Sequence, residues 1–148
     1  MKVAILMGSE KDMSKMQPCA DVLSDFGIDH EVHVMSAHRT PEKVAAFVSS
    51  ARTNGYGVII CGAGKAAHLA GAAAAHSTLP IIGVPIAAGG LGGVDALYAT
   101  VQMPTGIPVA TVAIDSSANA AYLAASILSV TDDSVAAKLA DYRESLKA

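Results

Sequence analysis

Five short runs rich in valine and isoleucine, at residues 3–7, 30–35, 57–61, 81–84 and 109–113, alternate with runs of helical character at 11–26, 41–54, 65–76, 92–102 and 118–130. A charged run at 132–146 closes the series. Short strands bounded by Gly or Pro and separated by helix-length segments join as parallel neighbours through right-handed crossovers. The expected fold class is therefore α/β, a three-layer sandwich with a five-stranded parallel sheet. At 148 residues and 52% hydrophobic content the chain is expected to form one domain, 1–148, with no internal repeat or linker. Punctuation agrees: Gly27 stands as a helix stop, Thr40-Pro41 as a helix start, and Thr131 or Asp132 as the cap of the last helix. The alanine-rich stretch 66–75 is read as a helix whose small side chains allow close approach of other backbones.

In an open parallel sheet, ligands sit beyond the carboxyl ends of the strands, so segments 8–12, 36–39, 62–68 and 85–93 should converge there. Two of them, within MGSEKD (7–12) and SAHRTP (36–41), each follow an apolar run and open a helical one. Backbone N–H groups freed at such a turn, together with the helix dipole, attract an anion. Ser9 serves equally as a phosphate donor or as a helix N-cap, and the two roles are compatible. Asp12 complements the dipole or accepts hydrogen bonds from ribose hydroxyls, Lys11 reaches a phosphate or solvent, and Arg39 supplies a forked cation. His38 brings the side chain whose unperturbed pKa of about 6.5 lets it move protons near neutrality.

A third turn runs from Cys61 to His68 with sequence CGAGKAAH. It lacks the GxxxxGK[ST] spacing of a nucleoside triphosphate loop, and no GxGxxG fingerprint occurs, but its free N–H groups suit a carboxylate. His68, one helical turn on, is read either as a helix-packing residue or as part of the site. His30, His33 and His76 have no comparable setting. Segment 89–93 (GGLGG) reads as a mobile loop and 102–108 as a fixed turn, either of which can line a site. With no carboxylate pair, Ser-His-Asp arrangement or metal-ligand spacing, acid–base chemistry on histidine without metal or covalent intermediate is the simplest expectation.

The net charge of −3 argues against an extended nucleic-acid surface. Two lone cysteines, Cys19 and Cys61, in apolar contexts indicate buried thiols. Residues 53–131 hold three charged side chains, Lys65, Asp95 and Asp115, yet Pro and Gly interrupt the segment too often for a membrane-spanning helix. Such a charge-poor half is expected to be hidden in a homo-oligomer. A chain that opens directly on a strand-like run gives the expectation of a cytoplasmic location.

These residues resemble the family of 5-(carboxyamino)imidazole ribonucleotide mutases of purine biosynthesis. MGSEKD, FGI (26–28), SAHRTP, GAGKAAHLAG (62–71), GVP (83–85), GVDALY (93–98), VQMPTGIPVATVAI (101–114) and ANAAYLAASIL (118–128) occur in family order over nearly the whole chain. The resemblance implies a flavodoxin-like domain assembled as an octamer. It also implies a cofactor-free transfer of a carboxylate from the exocyclic nitrogen of a ribonucleotide to carbon 4 of its imidazole. By the same resemblance, Ser9, Asp12 and Arg39 bind substrate, with Ser36 near the phosphate. His38 is the catalytic acid–base group, and Ala63, Gly64, His68 and Leu69 form the pocket for the migrating carboxylate. The chain departs from the family pattern at Lys11 (commonly Ser), Lys65 (Gly), Ala70 (Pro) and Ala72 (Met). His68-Leu69 follow the mutase pattern. A carboxylase using free carbon dioxide, and a non-catalytic sensor of nucleotide phosphate, stand as the alternatives.

Overall fold

The structure is a computed structural model in which residues 1–147 are described. Strands β1 (Lys2–Met7), β2 (His30–Val34), β3 (Tyr56–Gly64), β4 (Ile81–Ile86) and β5 (Ala110–Thr111) form a single parallel sheet in the order β2-β1-β3-β4-β5. Six α-helices among the described residues surround it: α1 (Met13–Asp25), α2 (Pro41–Ser50), α3 (Leu69–His76), α4 (Val94–Val101), α5 (Ser117–Leu128) and α6 (Asp133–Ser145). This is the doubly wound, flavodoxin-like arrangement, and its order reverses between β1 and β3.

Side chains of the central strands alternate between two apolar layers, as the period of two requires. Val3, Ile5, Met7, Val58, Ile60 and Ile82 pack with α1 and α5 residues such as Leu23 and Ala121. Ala4, Leu6, Ile59, Cys61 and Ile81 pack with Val44 and Val48 of α2 and Ala70 and Ala73 of α3. The alanines of α3 do bring backbones together: a Cβ on Gly83 of β4 would stand 3.3 Å from Ala70 Cβ and 2.3 Å from Thr100 Cγ2.

The boundaries differ from the sequence expectation where backbone demands were local. Strand β3 continues through Gly62, Ala63 and Gly64, so the following helix begins at Leu69 rather than at residue 65. Lys65 occupies the left-handed region with φ 55°, which no helix interior tolerates. A single 3₁₀ turn, Glu10–Asp12, precedes α1. Strand β5 is cut to two residues. Gly27 stops α1 with φ 65°, and Asp132 rather than Thr131 caps α6, its carboxylate accepting from the N–H groups of Ser134 and Val135. Thr40 does not cap α2 with its side chain; its hydroxyl accepts from Ser36 N–H at 3.0 Å and donates to Ser36 C=O at 3.1 Å, tightening the preceding loop.

Candidate active site

At the reversal point the chain leaves β1 through Gly8-Ser9. Ser9 is extended (φ −154°), and its Oγ accepts from Lys11 N–H at 3.3 Å, so the hydroxyl caps the 3₁₀ turn while facing the cleft. Beside it, the loop after β2 is folded on itself: Ser36 Oγ accepts from Arg39 N–H at 3.2 Å. The Arg39 guanidinium then reaches across to β1, where Nη2 donates to Gly8 C=O at 2.7 Å. That bond fixes the two strand-end loops relative to each other and leaves the remaining guanidinium donors free for an anion.

These loops and the end of β3 enclose a cleft of about 420 Å³. All nine residues singled out from the sequence line it: Ser9 and Asp12 from the first loop, Ser36, His38 and Arg39 from the second, Ala63, Gly64, His68 and Leu69 from the third. His68 settles as a cleft residue rather than a packing one, since its Nδ1 lies 2.5 Å from His38 Nε2 with the rings at 77°. Burial raises the Asp12 carboxyl above its ordinary pKa, while a backbone hydrogen bond from Ser9 and the Arg39 charge act in the opposite direction. An adjoining recess of about 440 Å³ continues past Ser9, Ser36 and Arg39 to Lys11 and Thr40, lengthening the polar end of the site.

The fourth segment contributes Ala88 to the cleft lining, and its residues 89–93 lie outside that lining. No residue of the turn at 102–108 lines this cleft. The turn's Gly106, Ile107 and Pro108 instead line a larger groove of about 1090 Å³ with Arg52, His76 and Pro80, toward the amino ends of β4 and β5. Size does not make that groove the better site, because the hydroxyls, carboxylate and paired imidazoles are in the smaller one.

Two further residues support the site: Lys65, which stands in the third turn where the family pattern has glycine, and Asp115, which the sequence did not mark as part of the site. Lys65 lines the cleft, and its left-handed backbone costs about 1 kcal/mol relative to glycine. Asp115, also left-handed at φ 58°, accepts from Ala87 N–H at 2.9 Å and pairs with Lys15 Nζ at 2.6 Å. Burial pulls the Asp115 carboxyl upward, but the Lys15 ammonium and Ala87 N–H outweigh it and leave the group below its ordinary value. The Asp115 bridge thereby anchors the chain immediately before Ala88.

A flavodoxin-like sheet with a cleft at its reversal point, holding an arginine, two serine hydroxyls, a carboxylate and two touching imidazoles, defines an α/β protein with a polar cleft of small-molecule size. The chain belongs to the AIR carboxylase family, whose sequence profile matches residues 2–148. It is 51% identical over 146 residues to the N5-carboxyaminoimidazole ribonucleotide mutase of Pyrococcus abyssi, covering 99% of this chain and 84% of that one. It is also 46% identical over 145 residues to the chloroplastic phosphoribosylaminoimidazole carboxylase of Vigna aconitifolia, covering 98% of this chain and 26% of that one. The crystal structure of Treponema denticola PurE superimposes with a TM-score of 0.89 at 33% identity, over 98% of this chain and 90% of that one.

Proposed function

We propose that this protein is an N5-carboxyaminoimidazole ribonucleotide mutase of purine biosynthesis, converting its substrate to the 4-carboxylated aminoimidazole ribonucleotide. The observation that carries the reading is the His38–His68 contact, 2.5 Å between ring nitrogens, in a cleft that Arg39 also lines. Ser9, Ser36 and Arg39 hold the phosphate, Asp12 accepts from the ribose hydroxyls, and the imidazole ring lies toward His38. In the first step the bond between the exocyclic nitrogen and its carboxylate breaks, releasing carbon dioxide, and His38 gives a proton to the departing nitrogen. Carbon dioxide stays beside Ala63, Gly64, His68 and Leu69. Carbon 4 of the imidazole then attacks it, and His38 takes the proton that carbon 4 loses, which restores its starting state. The reaction is a net isomerisation and consumes nothing.

Residues 1–148 act as one domain in this reading, and the active form is a homo-oligomer, an octamer. Leu91, Val94, Tyr98 and Val101 support it, being large apolar side chains exposed along one side of α4 and its preceding loop. The buried free thiols of Cys19 and Cys61 suit the reducing cytoplasm.

The Vigna aconitifolia relative, named as a carboxylase, favours a second reading in which carbon dioxide arrives from solution. Carboxyl-labelled ribonucleotide incubated with abundant unlabelled bicarbonate separates the two. Retention of label in the product is expected for the mutase. Dilution of label, with efficient turnover of aminoimidazole ribonucleotide and bicarbonate, assigns the carboxylase. Binding without turnover of either substrate assigns a sensor.

A further inference from the structure

We infer that Lys65 is a specificity-determining residue that binds the migrating carboxylate and makes the site discriminate carboxylated from uncarboxylated ribonucleotide. The inference rests on the mutase reading and adds a residue to it. Three observations carry it. Lys65 lines the cleft beside Ala63, Gly64 and His68, and is absent from the adjoining recess where Lys11, Ser36 and Arg39 gather. Its positive charge therefore borders the cleft beside the third turn, next to His68, and not the recess that runs past Arg39 to Lys11 and Thr40.

Second, the stem of the side chain is supported while its head is free. A Cβ on Gly89 would stand 3.2 Å from Lys65 Cε, so the aliphatic chain lies along the backbone of the glycine loop. That loop is tethered one step earlier by the Asp115 bond to Ala87 N–H. The ion pairs among the described residues engage Lys2, Lys15, His33 and Lys147, and none takes the Lys65 ammonium.

Third, the residue is held at φ 55°, a conformation that glycine would adopt without strain. A lysine kept in an unfavourable backbone state at the lip of a cleft, with its stem packed and its charge unpaired, fits a binding role better than a solvated surface residue. An anionic carboxylate is the complementary group. It is present on the exocyclic nitrogen before reaction and on carbon 4 after it, and absent from the decarboxylated ribonucleotide. A cation next to His68 strengthens binding of both carboxylated forms and leaves the decarboxylated one unaffected.

Calorimetric titration of the whole protein with the 4-carboxylated product and with aminoimidazole ribonucleotide, in parent, Lys65→Met and Lys65→Arg, tests this. Lys65→Met is expected to weaken the carboxylated ligand roughly tenfold, the scale of one charge-assisted hydrogen bond, with the uncarboxylated ligand unchanged. Steady-state turnover should show the same loss in KM. Lys65→Arg should recover most of the discrimination. Equal affinities in parent and Lys65→Met for both ligands, or an equal loss for both, overturns the role of Lys65 alone. Failure of the parent to bind either ribonucleotide overturns the mutase reading and this inference together.

Discussion

His38 Nε2 and His68 Nδ1 are 2.5 Å apart, so one of the two facing nitrogens carries a hydrogen and the other accepts it. The contact joins the loop after β2 to the turn after β3, two segments 30 residues apart in sequence. Orientation of His38 thus depends on a residue from another strand end.

Replacing His38 by Asn should leave ribonucleotide affinity within a few-fold and cut turnover by roughly 100- to 10,000-fold, the usual worth of general acid–base catalysis. His68→Asn should lower turnover as well. The double variant should be little worse than His38→Asn, because the two side chains act as a unit. Single-turnover kinetics beside a binding isotherm check this, and near-normal turnover in His38→Asn would remove its assigned role.

Affinity for the ribonucleotide should depend on pH through Asp12. Its carboxyl is raised by burial, against the opposing pull of the Ser9 backbone and Arg39, so it gains a proton at a higher pH than an ordinary aspartate. Only the ionised form accepts hydrogen bonds on both oxygens. Binding is therefore full above the raised pKa and falls as pH drops through it. Titrations across the acid range should show this decline in the parent and a flat, weaker profile in Asp12→Asn. A parent profile as flat as that of the variant would show that the carboxylate does not contact the ligand.

Two glycines of the sheet should respond differently to alanine. At Gly83 the new methyl meets Thr100 Cγ2 at 2.3 Å and Val109 Cγ1 at 3.0 Å, both on β-branched side chains that cannot swing aside. At Gly62 it meets Met16 Sδ at 2.4 Å, on a flexible thioether. Gly83→Ala should cost about 1–3 kcal/mol of stability and Gly62→Ala less, as measured by chemical denaturation. The reverse order would mean that the α4 side of the sheet yields more easily than the α1 side.

If the proposed homo-oligomer forms, the protein should sediment at a multiple of the 14.9 kDa chain mass at micromolar concentration. Tyr98, exposed at 61% on α4, is the side chain whose replacement by lysine should shift that distribution toward smaller species. A parent protein that stays a soluble monomer would contradict the proposed assembly.

Most of the architecture was legible because β1, β3 and β4 carry uninterrupted apolar runs, which only a sheet covered on both faces can bury. Ser9, His38 and Arg39 were found at strand ends, where the chain must turn and where backbone N–H groups are free. The third turn was harder to read. Gly62 and Gly64 look like breakers in sequence, yet they continue β3 because residues 62–64 pair in register with Val84, Pro85 and Ile86 of β4, and a missing Cβ leaves room for Met16 at one and Ala88 at the other. Nothing local announces that closeness. The left-handed backbones of Lys65 and Asp115 likewise escaped notice, since neither is a glycine. Strand β5 pairs with β4 through Ala110 and Thr111 alone, which the apolar run at 109–113 did not announce.

That shortened strand has a consequence for solubility. A chain that is 52% hydrophobic risks templating its own misassembly wherever a long strand lies open to a second molecule. With Ala110 and Thr111 alone paired on one flank, and the five-residue β2 carrying His30, Glu31 and His33 on the other, the sheet offers an arriving strand little to register against. Growth into fibrils is disfavoured at both flanks, leaving helical surfaces as the ground on which copies of this chain can meet.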